Sequence, residues 1–283
     1  MNEETMSIKG KGLTDFQLKY IAMALMVLDH IEYMFTFTGK IPIWFSWLGR
    51  LSAPLFLFCI IQGFIHTHDR KQYFIKIYAI AIVMGLIQFS FYNIGHFMVR
   101  PDGFFFFFMM LSTFTILLVI LQGIDWCQHK KWVKGLLAII IPSILPFIAI
   151  PFFRTKHTSF IANLLAFSFV PLHSAIADGG TAFIAMGVIM YLLRNHPRAN
   201  AITFFIENIA LYIGEAVVFI KPFNVSSLFT EAYEWMGAFA AIIMLMYNGK
   251  RGTGSKKLFY WFYPLHVYIL FALSWLVYIL IHK

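Results

Sequence analysis

The segment FQLKYIAMALMVLDHIEYMFTF, residues 16–37, decides the fold because it is long and apolar enough to cross a bilayer as one helix. A hydrocarbon core about 30 Å thick needs roughly 20 helical residues. The run lacks a small-residue cleavage site and is followed at once by another apolar run, so it is not a removable signal peptide. We therefore expect it to be the first transmembrane helix, preceded by a short cytoplasmic tail at residues 1–15.

The composition extends this interpretation to the whole chain. Of its 283 residues, 60% are hydrophobic, 19% are aromatic and only 12% are charged, against about 25% charged residues in soluble domains. No stretch between the apolar runs is long enough for a separate soluble domain. We predict an all-α fold, a polytopic membrane helical bundle that forms a single integral membrane domain over residues 1–283.

The net charge and the two cysteines exclude other classes of protein. The net charge of +9 comes from basic residues dispersed among short loops, which indicates membrane topology and contact with anionic membrane lipids, and no nucleic-acid partner. Cys59 lies in an apolar run and Cys127 in a lysine-rich loop, so they predict neither a disulfide nor a metal site.

The basic loops between the apolar runs predict the topology. With a cytoplasmic N-terminus, the basic loops HTHDRKQ and CQHKKWVK both lie inside, as the positive-inside rule requires. Alternation through every run would put the later basic loops outside, so one segment between residues 135 and 193 is expected not to cross. Either the proline-bearing run IPSILPFIAIPFF or the short run before DGG is then re-entrant or broken. The ten candidate segments are 16–37, 43–66, 73–95, 104–123, 135–152, 159–176, 180–193, 200–220, 232–248 and 258–281, and we expect about nine or ten crossings of the plasma (inner) membrane.

The first segment carries three ionisable residues, Asp29, His30 and Glu32. Asp29 and Glu32 share a helix face, whereas His30 points about 100° away from Asp29. His30 lies at least halfway across the bilayer, where an ionisable side chain needs a partner or a wet cavity. We interpret His30 as a functional residue. For Glu32 we favour the alternative of a structural or interfacial position.

A buried arginine is predicted in the second segment, where WLGRLSAPLFLF carries Arg50. Its guanidinium requires a carboxylate or an anionic ligand. The sequence leaves two possibilities open: an ion pair with Asp29 or Glu32, or binding of a phosphate or a thioester-linked carrier.

The last segment follows a basic loop with glycines, in NGKRGTGSKKLFYWFYPLHVYIL. His266 lies about two turns inside the helix that begins near Leu258. It is either an interfacial histidine or part of a site. The basic side chains of the loop are either topogenic or attract an anionic cofactor from the cytoplasm. They are Lys250, Arg251, Lys256 and Lys257.

Two further carboxylates, Glu207 and Glu215, lie eight residues apart in one apolar run and nearly share a helix face. Either they line a cavity or they make structural hydrogen bonds. The sequence has no Gly-rich phosphate loop, metal-spaced His/Cys set or Gly-x-Ser-x-Gly motif.

Three motifs give the chain a family resemblance: LDHI in the first segment, LGRLSAPLF in the second, and YNGKRG followed by KKLFYWFYPLHVYIL at the end. In these motifs and their order the chain resembles the TraX family of membrane proteins, whose named member acetylates the N-terminus of conjugative pilin. The family is similar in turn to the acyltransferase-3 superfamily, in which a first-helix basic residue precedes a histidine by eleven positions. Lys19 and His30 have that spacing here, with lysine in place of arginine.

The resemblance implies a membrane-embedded acyltransferase that uses acetyl-CoA as donor and acetylates an unknown envelope acceptor, either a peptide amine or a sugar hydroxyl. His30 is then the general base, with Asp29 and His266 as further catalytic residues. Arg50 stabilises developing negative charge. The remaining residues expected to bind donor or acceptor are Lys19, Tyr263 and the basic loop.

A polytopic transporter is the alternative from another functional class. In that case His30, Asp29, Glu207 and Glu215 form a proton or substrate path. The sequence shows no repeat of fixed period that supports it.

Overall fold

The computed structural model describes residues 12–93, 98–153, 159–175 and 179–282. Its regular elements in these ranges are helices, and one isolated parallel bridge joins Leu13 to Tyr247. The α-helices are α1 (Asp15–Phe35), α2 (Trp44–Gly49), α3 (Ser52–His66), α4 (Arg70–Asn93), α5 (Met110–Gln128), α6 (Trp132–Phe153), α7 (Ser159–Leu164), α8 (Gly180–Leu192), α9 (Pro197–Phe219), α10 (Ser227–Thr230), α11 (Ala240–Leu245) and α12 (Lys256–Ile281).

Seven helical segments of the described chain are long and apolar enough to span a membrane. Three shorter apolar helices, Phe160–Phe169, Gly180–Leu192 and Tyr233–Leu245, coincide with the other three predicted segments. The predicted all-α polytopic bundle is thereby confirmed, whereas the number of crossings stays a prediction. The seven long segments are Asp15–Thr38, Trp44–His66, Arg70–Asn93, Met110–Gln128, Trp132–Ala149, Pro197–Phe219 and Lys257–Ile281.

The chain forms two compact units, Met1–Gly63 with Leu192–Lys283 (the first unit) and Phe64–Tyr191 (the second unit). Both consist of helices, and the prediction of a single membrane domain stays a prediction. Residues 1–11 of the predicted tail lie outside the described residues.

In the first unit, the start of α1 is fixed by a capping box and by the loop after α11. The Thr14 side chain accepts a hydrogen bond from the backbone of Gln17, whose side chain accepts one from the backbone of Thr14, so two N–H groups that the helix leaves unbonded are satisfied. Leu13 and Asp15 donate backbone N–H groups to the carbonyls of Met246 and Lys250, at 2.8 and 2.9 Å. The basic loop is thereby held at the N-terminal end of α1.

The crossing of α1 and α2 depends on Gly49. A Cβ atom at this position would overlap the side chain and Cα of Asp29. Glycine therefore permits the backbones to approach closely, and the residue that follows it, Arg50, lies directly beside Asp29 on α1.

In the second unit, the run of phenylalanines at residues 104–109 is not helical, whereas the sequence predicted a helix over 104–123; α5 begins at Met110. The Gln88 side chain donates to the Phe108 carbonyl and accepts from the Phe108 N–H, each at 3.0 Å. Because Gln88 is buried and satisfies this backbone pair, the irregular segment is accommodated without a helical hydrogen bond at Phe108.

The broken element is the run before DGG and not the proline-bearing run. Helix α6 is continuous, with Pro142 and Pro146 inside it. By contrast, α7 ends at Leu164 and is followed by a π-helical turn, Leu165–Phe169. After an irregular stretch comes a short 3₁₀ turn, His173–Ala175. Residues 154–158 and 176–178, which flank these elements, lie outside the described residues.

Candidate functional site

Two buried histidines from opposite ends of the chain form a hydrogen-bonded pair. His30 on α1 is 6% exposed and His266 on α12 is 7% exposed. Nδ1 of His30 lies 2.8 Å from Nε2 of His266. The ring planes differ by only 6° while the ring centroids are 4.9 Å apart, so the rings meet edge to edge in one plane. This is a good geometry for a hydrogen bond between two imidazoles.

The hydrogen-bond partner of His266 Nδ1 shows which ring nitrogens of the pair carry protons. Nδ1 of His266 lies 2.8 Å from the carbonyl oxygen of Phe262, and a carbonyl only accepts, so this nitrogen carries a proton. When both rings are neutral, Nε2 of His266 therefore accepts from Nδ1–H of His30. The lone pair of His30 then resides on its Nε2. A proton taken up there converts the pair into a cation that the two rings share.

An ionic cluster lies next to the pair. The Arg50 guanidinium donates through Nε and Nη2 to Oδ1 of Asp29, with an Nε to Oδ1 distance of 3.1 Å. A second carboxylate, that of Glu234, lies 3.8 Å from Nη1, and the Tyr233 ring lies 5.5 Å below the guanidinium. Of the two possibilities that the sequence left open, the structure shows the ion pair with Asp29.

Glu32 belongs to a different hydrogen-bond group, although it shares a helix face with Asp29. Its Oε2 accepts from the Ser46 hydroxyl at 2.8 Å, and its Oε1 accepts from the Thr36 hydroxyl at 3.0 Å. These contacts tie the end of α1 to α2. The structural role that we favoured for Glu32 stays a prediction.

Asn208 on α9 is a candidate site residue that the sequence interpretation missed. It is 1% exposed, and neither its Nδ2 nor its Oδ1 has a hydrogen-bond partner among the described residues. A Cβ atom on Gly237 would lie 3.4 Å from this Nδ2 and 3.1 Å from the Arg50 carbonyl oxygen, which places Asn208 near the Arg50 backbone. The signal in the sequence was an amide side chain directly after Glu207 in an apolar run.

The two glutamates of α9 are placed differently from one another. Glu207 is half-buried, with Oε2 buried and unpaired within the described part of the chain. Glu215 is exposed on the same helix.

The predicted basic residues gather at the other end of α1, which we call the basic end and define by Lys19, Lys250 and Arg251. Nζ of Lys19 lies 2.6 Å from Oδ2 of Asp15 and 5.7 Å from the centroids of Phe16 and Phe259. Arg251 lies over the Phe16 ring at 5.5 Å. Fifteen residues separate Asp15 from His30, a rise of about 22 Å on a helix.

The other predicted binding residues lie on α12. Tyr263 contacts the His266 ring edge-on, with the centroids 5.9 Å apart. Lys257 is exposed in the first turn of the helix. The side chain of Lys256 lies outside the described residues. The structure thus divides the predicted residues between the basic end and the region around the histidine pair.

Within the described ranges, no three His, Cys, Asp or Glu side chains are grouped so as to hold a metal ion.

Comparison with known proteins finds similarity over nearly the whole chain. A family model described as TraX protein matches residues 15–274. The chain is also similar to a protein of Dichelobacter nodosus named "Probable fimbrial assembly protein FimC, serogroup H1", with 23% identity over 265 residues that cover 90% of this chain and 93% of the other. No solved structure matches the chain significantly.

Proposed function

The chain belongs to the TraX family, and from this premise we propose that it is a membrane-embedded acyltransferase that transfers an acetyl group from acetyl-CoA to a cell-envelope acceptor. The observation that carries the proposal is the buried His30–His266 pair, in which imidazoles from α1 and α12 are hydrogen-bonded to each other.

His30 acts as general base in this proposal. Acetyl-CoA supplies an acetyl group activated as a thioester. As the acceptor nitrogen or oxygen bonds to the acetyl carbon, His30 Nε2 takes the acceptor proton. When the carbon–sulfur bond breaks, the protonated pair returns that proton to the departing sulfur. His266 stabilises the cation between these two steps by sharing it. General base catalysis of this kind contributes roughly 10²- to 10⁴-fold.

Arg50 supplies a fixed positive charge beside the base. Its contacts with Asp29 and Glu234 hold the guanidinium in one orientation, and a cation that is already oriented stabilises negative charge developing on the acetyl oxygen without reorganisation. Asn208, whose amide lies near the Arg50 backbone and has no hydrogen-bond partner in the described part of the chain, is a second donor for that oxygen or for the acceptor.

The basic end suits the anionic part of the donor. Lys19, Lys250 and Arg251 gather there, and Lys257 is exposed in the first turn of the adjoining helix. With the N-terminus cytoplasmic, in the inner membrane, this end faces the compartment that holds acetyl-CoA. The thioester end of acetyl-CoA must then reach about 22 Å along α1, from the basic end to His30.

The acceptor is proposed from the relatives. The similar protein from Dichelobacter nodosus is named as a probable fimbrial assembly protein. A protein subunit of a surface fibre, with a peptide amine as the acetylated group, is therefore the first acceptor to test, and an envelope sugar hydroxyl is the second.

The test is acetyl-CoA turnover, or acetyl transfer to the protein itself, by the detergent-purified chain. We expect His30→Ala and His266→Ala to abolish turnover while the protein elutes as a monodisperse species. His266→Gln, which keeps an acceptor for the His30 N–H but cannot take up a proton, should retain part of the activity. The exposed His129 provides the matched control, since His129→Ala should leave turnover unchanged. Failure of CoA either to turn over or to raise thermal stability would contradict the proposal.

The transport alternative is supported by one observation, the unpaired polar atoms of Glu207 and Asn208 inside α9. It predicts substrate flux in proteoliposomes without any acyl donor, and loss of that flux in Glu207→Gln. The acyltransferase proposal predicts that flux is absent.

A further inference from the structure

A cavity in the second unit lies outside the site described above. It has a volume of about 420 Å³, within the range of pockets that bind small ligands. Its walls come from the end of α3, the first turn of α4 and the last part of α5. Its apolar lining comes from Phe64, Phe74, Leu118, Val119 and Trp126, while Arg70 and Lys71 provide positive charge.

The cavity lies at the ends of two candidate membrane spans. Arg70 is the first residue of one span and Gln128 is the last residue of the other. The start of α4 and the end of α5 therefore lie at the level of the lipid headgroups. A tryptophan such as Trp126 is typical of this level, because its indole has an apolar body and a polar N–H group.

The two basic residues of the cavity differ in whether a carboxylate pairs with them. Nη1 of Arg70 lies 2.8 Å from Oδ2 of Asp125, and the guanidinium lies 4.4 Å from the centroid of Phe64. The side-chain amide of Gln122 donates to the same carboxylate oxygen at 3.4 Å. Arg70 is thus a paired, fixed part of the cavity wall. Lys71 is exposed and has no carboxylate partner in the described part of the chain.

We propose that this cavity is a binding site for an anionic phospholipid, whose acyl chain occupies the space between Phe64, Phe74 and Trp126 and whose phosphate contacts Lys71. The apolar walls suit a hydrocarbon chain, and the unneutralised charge of Lys71 suits a headgroup with a net negative charge. The N–H groups at the start of α4 add positive potential at the same place. A zwitterionic lipid fills the same apolar space but lacks the net charge that Lys71 selects.

More basic side chains lie close by in the sequence, at Lys130, Lys131 and Lys134, and they attract anionic lipids without forming a site. A general attraction of this kind depends on the sum of the charges. A built site depends on Lys71 in particular. This difference provides the matched control, because Lys134 is equally exposed but does not line the cavity.

The experiment measures quenching of tryptophan fluorescence in the full chain, reconstituted in phosphatidylcholine nanodiscs. Phosphatidylglycerol brominated on its acyl chains is added in one series and brominated phosphatidylcholine in the other, at equal mole fractions. Subtracting the quenching of Trp126→Phe isolates the signal from the cavity. We expect this signal to show about a fivefold preference for phosphatidylglycerol, the factor that one lysine near an anionic headgroup supplies.

Lys71→Gln should remove the preference while leaving quenching by phosphatidylcholine unchanged, and Lys134→Gln should retain the preference. Equal quenching by the two lipids in the wild-type chain would overturn the proposal, and so would equal losses in the two lysine variants. If Trp126→Phe does not fold, native mass spectrometry replaces the subtraction. Wild type should then keep bound phosphatidylglycerol through delipidation, and Lys71→Gln should lose it.

Discussion

Two buried histidine sites in this protein use their ring nitrogens differently. His173 in the second unit is 7% exposed. Its Nε2 lies 3.2 Å from the Ser143 carbonyl oxygen and its Nδ1 lies 2.7 Å from the Thr181 hydroxyl. The carbonyl requires a proton on Nε2, so Nδ1 accepts from the hydroxyl and the ring is fully committed to the fold.

The His30–His266 pair is buried to the same degree, but its two rings are hydrogen-bonded to each other. The Phe262 carbonyl fixes one proton on His266, and the hydrogen bond between the rings transmits the protonation state of one ring to the other. Burial alone therefore does not distinguish the two sites, whereas the hydrogen-bond partners of their ring nitrogens do.

The largest expected effect separates the two sites directly. His30→Ala should lower transfer by roughly 10²- to 10⁴-fold with little change in thermal stability in detergent. His173→Ala should lower the thermal stability and leave turnover per folded molecule within about twofold, since it removes two structural hydrogen bonds. Equal losses of turnover per folded molecule would show that the two histidines do not differ in role.

Breaking the ion pair beside the histidine pair should cause the next largest effect. Arg50→Met leaves the Asp29 carboxylate, 16% exposed, without its cation. Removing one partner of a buried pair costs about 3–5 kcal/mol, and we expect about 2–3 kcal/mol here because Arg50 itself is 26% exposed. Denaturant unfolding in mixed micelles measures this change. The double variant Arg50→Met, Asp29→Leu should recover part of the loss, and a strictly additive result would contradict the pairing.

A steric change tests whether the position of Arg50 matters separately from its charge. Gly49→Ala places a methyl group against Asp29 and should cost about 1–3 kcal/mol through overpacking. Gly214→Ala is the matched control, because a Cβ atom there has no neighbour within 4 Å. We expect Gly214→Ala to be neutral or slightly stabilising in the same unfolding assay, since alanine favours a helix.

The smallest expected effect concerns one hydrogen bond of His173. Thr181→Val removes the hydroxyl that donates to Nδ1 and should cost about 1 kcal/mol of unfolding free energy, with no change in transfer. Thr181→Ser restores the donor and should recover most of the loss. A drop in transfer by Thr181→Val without any loss of stability would assign His173 a role in function.

The predictions from the sequence were most accurate where they depended on local composition. Hydropathy located ten segments, and each coincides with a helical segment of the structure. They were wrong where distant contacts override local preference. The phenylalanine run is not helical, and Gln88 satisfies the backbone of Phe108 in place of a helical partner; no pattern within residues 104–109 indicates such a partner.

The same contrast applies to the candidate site. The sequence identified His30, His266 and Arg50 individually, because ionisable side chains within apolar runs stand out by their energetic cost. It did not identify Asn208, since a single amide in a helix is common and acquires meaning only when its neighbours leave it without a partner.

The sequence by itself determined that this is an all-α membrane protein and where its apolar segments lie. The reason is that a continuous stretch of about 20 apolar residues is long enough to span a bilayer as a helix, whatever its neighbours are. Only the tertiary structure decided that His30 meets a histidine 236 residues away, and that Arg50 pairs with Asp29 and not with Glu32. The physical reason is that such contacts depend on which helices are neighbours and on how closely they approach. A glycine at one crossing sets that distance for Arg50, whereas the periodicity of a single helix only sets the direction of each side chain.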